Sequence, residues 1–546
     1  MAVFLALAPS APAIARTPAR SALADYVRAR VADSDGDSAT ALAGYHAALM
    51  ATPNNVVLAS RLFRQAIIQG DTRHTLETAR KLDTQGRLPA DARFLLIVDA
   101  INHHDDSLAK THAARLEQES VFGFTGPILR AWLAFGAHEA TPLAQLNGPA
   151  VDPSFSSYYD EHRCLLLLAT GKTDEGVAMA RSLIGSSGEG RAIRLQMLAA
   201  TALVQAGKRS EALDMLAGAD ATLVAARQRL NAGQSFVRPV TTATQGIADL
   251  LLRLASDVNR ERVTPMALTI ARAALLANPT LTESRMFTSG LLAASDQPRL
   301  GLALLPDEAH DVYGATIAIL RIELLQKAGD LPQAIIIAER LAHARDASNE
   351  DWTRLADLYS EVGQHAEAAN AFQRAIAVVE AKDGKDAVPW SYRLLYGGAL
   401  EKSGDWAKAK VELTEAVRLG PDQPVALNYL GYAQLSRREN LEEAEKLIER
   451  AATLRPDDPA ITDSLGWTYF VRGQHQKAIE TLERAVIAEP AEPTINEHLG
   501  DAYWQVGRKI DARYAWNAAL VHAEPAEAER LRIKIDRGLT PETTSP

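Results

Sequence analysis

Cysteine is nearly missing from this chain: a single thiol, Cys164, serves all 546 residues. That excludes an internal disulfide and any metal site built from several thiolates. Basic residues are in deficit, with 58 Lys and Arg against 68 Asp and Glu, a formal charge of −10. Phosphate backbones are held by basic faces, so nucleic acid is disfavoured as a partner. No apolar run approaches the roughly 20 residues needed to cross a bilayer. Alternating runs of β-branched residues are scarce, which leaves little signal for strands. Neither G-x-S-x-G nor H-E-x-x-H occurs, so two common hydrolytic signatures are missing.

Alanine and leucine dominate what is present. With 47% hydrophobic and 23% charged residues, the bulk of the chain is folded and soluble. It is too long for one ordinary core, and the choice lies between several domains and one elongated array. The first residues read differently. Ala2 to Ala8 form a short apolar run, followed by Pro9, Pro12 and the small-residue triplet Ala13-Ile14-Ala15. That is the apolar region and A-x-A cleavage site of a secretory signal peptide, without its basic leading segment. Export is the expectation; an Ala/Pro-rich terminus (1–21) is the alternative. No cysteine stands near the start to carry a lipid.

The C-terminal part repeats itself. One helix of each unit carries a bulky residue, Leu, a small residue and an aromatic: Trp352, Leu355, Ala356, Tyr359; Leu465, Gly466, Tyr469; Leu499, Gly500, Tyr503. The next carries Ala, a bulky residue and Ala: Ala368, Phe372, Ala375; Ala409, Leu413, Ala416; Ala444, Ile448, Ala451; Ala478, Leu482, Ala485; Ala512, Trp516, Ala519. Gly363, Gly404, Gly473 and Gly507 fall between the two helices, and Pro421, Pro456 and Pro490 close three of the units. Glycine supplies the left-handed backbone after a helix, and proline prevents it from running on. Starts fall near 349, 390, 424, 459 and 493, a spacing of 34 or 35 apart from one insertion at Ala381 to Ala387. Helix pairs at this period are tetratricopeptide (TPR) repeats. The expected fold is all-α, an α-solenoid of antiparallel helix pairs, regular over 349–525.

Upstream the pattern degrades. Gly36, Ala41, Tyr45, Ala48 and Pro53 fit one unit; Gly207, Ala212 and Leu216 another; Ala267, Ala274 and Pro279 a third; Gly329, Ala334 and Ala338 a fourth. Degenerate repeats are therefore expected over 22–228 and 247–348. The polar segment 229–246, with Asn231-Ala232-Gly233 and Pro239-Val240-Thr241-Thr242, should connect two sub-arrays. A charged helix over 526–538 should cap the exposed end, leaving 539–546 as a tail.

Several strings are more specific than the bare repeat: Leu427-Asn428-Tyr429-Leu430-Gly431-Tyr432, Asp463-Ser464-Leu465-Gly466-Trp467, Glu497-His498-Leu499-Gly500-Asp501-Ala502-Tyr503-Trp504, and Val506-Gly507-Arg508 through Arg513-Tyr514-Ala515-Trp516. In these the chain resembles a family of TPR proteins from Gram-negative bacteria. Members are typically exported, many as outer-membrane lipoproteins. The best understood are adaptors that hold a C-terminal processing protease together with its cell-wall hydrolase substrates. The resemblance covers the last 200 residues or so and implies a non-catalytic periplasmic scaffold, with a protease or a cell-wall hydrolase as partner. A cytoplasmic co-chaperone or secretion-complex subunit is the alternative.

In stacked helix pairs the first helix of each lines the concave face. The residues there that turn away from the second helix are Asn428, Tyr432, Asp463, Trp467, Phe470, Glu497, Asp501 and Trp504. Aromatics on such a face are binding anchors, and Asn428 can pair with a peptide backbone through donor and acceptor. The carboxylates favour a basic or apolar guest, unlike the Lys/Asn/Arg clamp of chaperone-type TPR domains. The competing expectation is that Trp467 and Trp504 pack between neighbouring repeats.

Four other motifs read as structure. Thr170-Gly171-Lys172-Thr173 lacks the earlier glycine of a phosphate loop, where Leu166 stands instead. Asp33-Ser34-Asp35-Gly36-Asp37 has its glycine too early for a calcium loop, and Gly44 at the closing position. His103-His104-Asp105-Asp106 would need a special loop to share a metal. His162 and Cys164, two apart on a helix, face away from each other. No metal, cofactor or catalytic residue is expected.

Overall fold

A computed structural model describes residues 22–118, 121–147, 152–186, 188–307 and 311–545. The signal-like stretch 1–21 and Pro546 lie outside the described residues. Among those described, every regular element is helical, as the alanine- and leucine-rich composition requires. The chain divides into two units, Met1–Ala334 and Ile335–Pro546.

The first unit runs through α1 (Ala22–Ser34), α2 (Ser38–Ala51), α3 (Val56–Gln69), α4 (Thr72–Thr84), α5 (Arg93–Asn102), α6 (Asp106–Gln118), α7 (Gly126–Gly136), α8 (Ser156–Ala169) and α9 (Thr173–Ile184). It continues with α10 (Glu189–Gln205), α11 (Arg209–Met215), α12 (Ala221–Asn231), α13 (Ala243–Arg260), α14 (Thr264–Ala277), α15 (Thr282–Ala294), α16 (Pro298–Leu302) and α17 (Gly314–Lys327). Its boundary with the second unit falls within α18 (Leu331–Ala342). Asp37, Asn55 and Asp71 cap α2, α3 and α4, their side chains accepting from backbone N–H groups of the first turn, which satisfies otherwise orphaned donors.

Sequential helices pack as pairs, but the unit does not stay open. α13 packs against α7 and α8, and α14 against α3 and α5. The return is pinned by polar contacts. Arg272 on α14 donates to the carbonyls of Ile67 and Ile68 at 2.9 and 2.8 Å, Asn102 to Leu276 at 3.2 Å, and Gln297 to Gly36 at 2.9 Å. One continuous core results, reaching from Ala29 to Leu324 and including Tyr45, Phe94 and Trp132. The segment 229–246, expected to connect two sub-arrays, instead lies inside this unit: α12 runs through its beginning, and α13 starts within it. The helices on either side of that segment share one core, because α13 and α14 bury their apolar faces on the early helices.

Several buried polar side chains inside this unit are matched to one another. Arg194 binds Asp249 at 3.0 and 3.2 Å and Glu283 at 3.1 Å. Arg253 binds Glu161 at 2.7 Å and lies 3.6 Å over the ring of Tyr158. Asp33 accepts from Tyr45 and Gln65, each at 2.7 Å. Gly171 makes the left-handed turn between α8 and α9, with φ +77°. His162 is fully buried and accepts from the Trp132 indole at 3.1 Å; burial pushes it down to about 3. Cys164 donates to the Gly176 carbonyl at 3.3 Å, and burial pushes its thiol up to about 12. Both are core residues.

The second unit is a regular series of pairs: α19 (Asn349–Glu361) with α20 (His365–Asp383), α21 (Trp390–Lys402) with α22 (Trp406–Leu419), α23 (Pro424–Ser436) with α24 (Leu441–Leu454), α25 (Pro459–Val471) with α26 (His475–Ala488), and α27 (Pro493–Gln505) with α28 (Lys509–His522). α29 (Pro525–Arg537) comes after them. The first helix of each pair begins at the residue from which the repeat was counted. The pairing rests on size complementarity. A Cβ on Gly466 would stand 2.6 Å from Leu482, and one on Gly500 2.4 Å from Trp516. The small residue of one helix thus receives the large residue of the other. This is the TPR α-solenoid read from the sequence, and its main helix contacts run between near neighbours.

Candidate functional site

The first helices of successive pairs present matching positions to one side. Asn428 and Tyr432 on α23, Asp463 and Ser464 on α25, and Glu497 and His498 on α27 line a groove of about 600 Å³. Asn428 and Tyr432 stand four apart, Ala460 three before Asp463 and Thr494 three before Glu497, spacings that keep each pair on one helical face. Glu401 from α21, Glu489 and Glu492 before α27, and Glu527 and Arg530 from α29 complete the walls. Six carboxylates therefore face one guanidinium.

Their states differ with depth. Glu401 accepts from Tyr429 at 2.8 Å and from Arg437 at 2.7 Å. Asp463 receives His498 Nδ1 at 2.9 and 3.0 Å. Glu497 takes a two-point bond from Arg530 at 2.8 and 2.6 Å, and Lys534 Nζ stands 2.7 Å away. Burial by itself raises the Glu497 carboxyl, but Arg530 and Lys534 outweigh it and hold it down to about 2. Glu489 is exposed at the rim, with Glu492 and Glu527 half-buried beside it. The phenol of Tyr432 is pushed above its ordinary range, first by burial and then by the Asp463 charge. Two buried side-chain atoms of the groove lining have no hydrogen-bond partner among the described residues: Asn428 Oδ1 and His498 Nε2. A buried acceptor left unpaired costs about 1–3 kcal/mol, so Asn428 is poised to receive a donor.

Of the eight residues expected on this face, Asn428, Tyr432, Asp463 and Glu497 line the groove. The other four are placed elsewhere. Trp467 and Phe470 are buried, 2% and 8% exposed. Trp467 stacks on Phe470 at 4.4 Å and on His498 of the next pair at 4.1 Å, nearly parallel to both. They form a ladder between repeats, because flat rings one repeat apart fill the seam between first helices. Asp501 is fully buried. It accepts from Lys534 at 2.7 and 2.8 Å, the Trp516 indole at 2.9 Å, and the Ser545 N–H and hydroxyl at 3.0 and 3.1 Å. Trp504 is covered by the start of the tail: a Cβ on Gly538 would lie 2.0 Å from its ring.

The basic ligand read from Glu497 and Asp501 is thus the chain's own C-terminal helix. Arg530, Lys534 and Ser545 escaped the sequence reading. A signal existed: Arg530 and Lys534 repeat the i, i+4 spacing of Glu497 and Asp501 one repeat later, with opposite charge.

The match of a repeat-family model agrees with the architecture of the second unit. A family model described as Tetratricopeptide repeat matches residues 353–410, 397–459 and 464–528. A TPR repeat-containing protein of Pseudomonas aeruginosa is 34% identical over 158 residues, covering 28% of this chain and 25% of that relative. The match thus spans a quarter of the relative's length. Among solved structures, the APC/C hetero-tetramer Cut9–Hcn1 aligns with 94% of this chain and 96% of its own, at 14% identity and a TM-score of 0.36. YrrB, described as a TPR protein with an unusual peptide-binding site, aligns with 33% of this chain and 89% of its own, at 19% identity and a TM-score of 0.28. The chain carries TPR repeats, and such repeats are scaffolds for protein–protein interaction. No helix among the described residues is long and apolar enough to cross a membrane.

Proposed function

We propose that this chain is a non-catalytic adaptor whose groove over α23, α25 and α27 holds an extended, basic segment of a partner protein. The observation that carries the reading is the unpaired Asn428 Oδ1 in a groove with the exposed Glu489 carboxylate at its rim. The amide takes the guest's backbone N–H, while Tyr432 supplies apolar contact. Glu489, Glu492 and Glu527 attract Lys or Arg side chains. Exposed pairs of that kind contribute at most about 1 kcal/mol each, so they set orientation and association rate more than affinity.

On the resemblance described above, the partner is a processing protease or a cell-wall hydrolase, and the adaptor is exported to the periplasm or the outer membrane. The test is crosslinking in cells from a photoreactive residue at Tyr432, followed by mass spectrometry and fractionation of the native gene product. Capture of such a protein in the periplasmic fraction, lost in Asn428→Ala/Glu489→Lys with helicity unchanged, is the expected result. A purely cytoplasmic pool overturns the location. Undiminished capture by the double variant overturns the site.

A further inference from the structure

The N-terminal unit contains a cavity of about 460 Å³ walled by α3, α4, α5, α14, α15 and the segment after α16. Its size falls within the range of about 300–1,000 Å³ typical of small-ligand sites. The walls are mostly apolar, with Leu76, Leu95, Leu276 and Leu304 prominent, and the charged residues lining it are Arg272 and Arg285. Among the described lining residues none is acidic.

Arg272 spends Nε and Nη2 on the Ile67 and Ile68 carbonyls, at 2.9 and 2.8 Å. Its Nη1 lies beside Gly70, where any Cβ would come within 2.7 Å. Glycine at that position therefore lets the guanidinium settle against the turn. Arg285 donates Nε to the Pro279 carbonyl at 2.8 Å. Among the described residues neither arginine is in an ion pair with a carboxylate. Asp71, next to the lining residues Gly70 and Thr72, turns its carboxylate to His74 at 2.6 Å. Burial lowers Arg272 to about 10 without an opposing charge. The inward-facing arginines Arg194 and Arg253 of this unit are matched by carboxylates, whereas Arg272 and Arg285 reach backbone carbonyls. A desolvated cation without a counter-ion is costly, and an anion entering the cavity relieves that cost.

We propose that this cavity binds a carboxylate carrying an apolar chain, with the anionic end at the Arg272 guanidinium and the chain along the leucine walls. Two sources share this chemistry: a free fatty acid, and the free C-terminus of an apolar peptide. Arg285 adds positive potential, and the apolar walls exclude small hydrophilic anions.

The test is calorimetric titration of the full chain with decanoate and with N-acetyl-leucyl-leucine, each against its uncharged counterpart, decanol or the dipeptide amide. Saturable binding of one or both carboxylates, at least tenfold tighter than the counterpart, is expected. The carboxylate that binds tighter identifies the source. Arg272→Met should weaken binding at least tenfold. Because Arg272 also caps α3, Leu276→Trp is the second variant: it fills the cavity and leaves the guanidinium in place. It should abolish binding with the helical circular dichroism intact. Absence of saturable heat with either carboxylate, equal binding of the uncharged counterparts, or unchanged binding in Leu276→Trp overturns the proposal.

Discussion

The two units are built from the same kind of helix pair and use it differently. In the second unit each pair leans mainly on its neighbours, and successive first helices share a face that lines a groove. In the first, α13 and α14 return to the early helices and pack on α3, α5, α7 and α8. The difference lies in what the inward residues are asked to do. Arg194, Arg253, Asp249 and Glu161 are locked to one another across distant stretches of chain. Asn428 and Glu489 are left for a guest. A repeat array becomes a closed unit when its own helices supply the ligand for its concave side. A small version of this happens at the very end of the open unit, where α29 delivers Arg530 and Lys534 to Glu497 and Asp501.

The sharpest way to break this comparison is Arg194→Met. It leaves Asp249 and Glu283 without their cation in a protein interior, at a cost of about 3–5 kcal/mol. Because the first unit has one continuous core, the loss should spread. Amide exchange read by mass spectrometry should show α1 to α17 losing protection together, while α21 to α28 keep theirs. Loosening confined to α10, α13 and α15 would show that closure brings no more cooperativity than the open array has.

Acid acts on the open unit in a more local way. Glu497 is held at about 2, against an ordinary 4.5. A depressed carboxylate contributes stability that is fully present above about pH 4.5 and is lost as pH falls towards 2. The difference corresponds to about 3 kcal/mol, undiminished by screening because the side chain is only 4% exposed. As pH drops through that window, α29 should lose exchange protection before α21 to α24 do. Glu497→Gln should flatten the response, and an unchanged profile in that variant would remove Glu497 as its source.

The helix pairs of the second unit were legible because their determinants are local and periodic. A glycine such as Gly466 and a leucine such as Leu482 have to meet within one repeat, so both recur in register. Half of the groove was legible for the same reason: Asn428, Tyr432, Asp463 and Glu497 occupy equivalent face positions. Trp467 and Phe470 were not, since position alone does not tell a solvent face from an aromatic seam; that depends on His498 arriving one repeat later to stack. The closure of the first unit left no local trace either. Arg272 reaches Ile67 across some 200 residues, and no periodicity encodes such a contact.

The smallest effect concerns the one turn where the regular array departs from its own rule. Four first-to-second-helix turns use Gly363, Gly404, Gly473 and Gly507 in the left-handed region, whereas the turn between α23 and α24 uses Arg438 at φ 55° and Asn440 at φ 46°. Asparagine tolerates that region and arginine does not, at a cost of about 1 kcal/mol. Glycine would relieve the strain but adds freedom to the unfolded chain, an offset of about 0.5–1 kcal/mol. Arg438 is exposed, so little packing goes with its side chain. Arg438→Gly should therefore stabilise by no more than about 0.5 kcal/mol, seen as a slightly higher denaturant midpoint. In an array of neighbour contacts the gain should appear as added protection in α23, α24 and the pairs beside them. Arg262, at φ 62° between α13 and α14, offers the matching position in the closed unit. There the same exchange to glycine should raise protection throughout the shared core, and a gain confined to α13 and α14 would mean that both units are held together pair by pair.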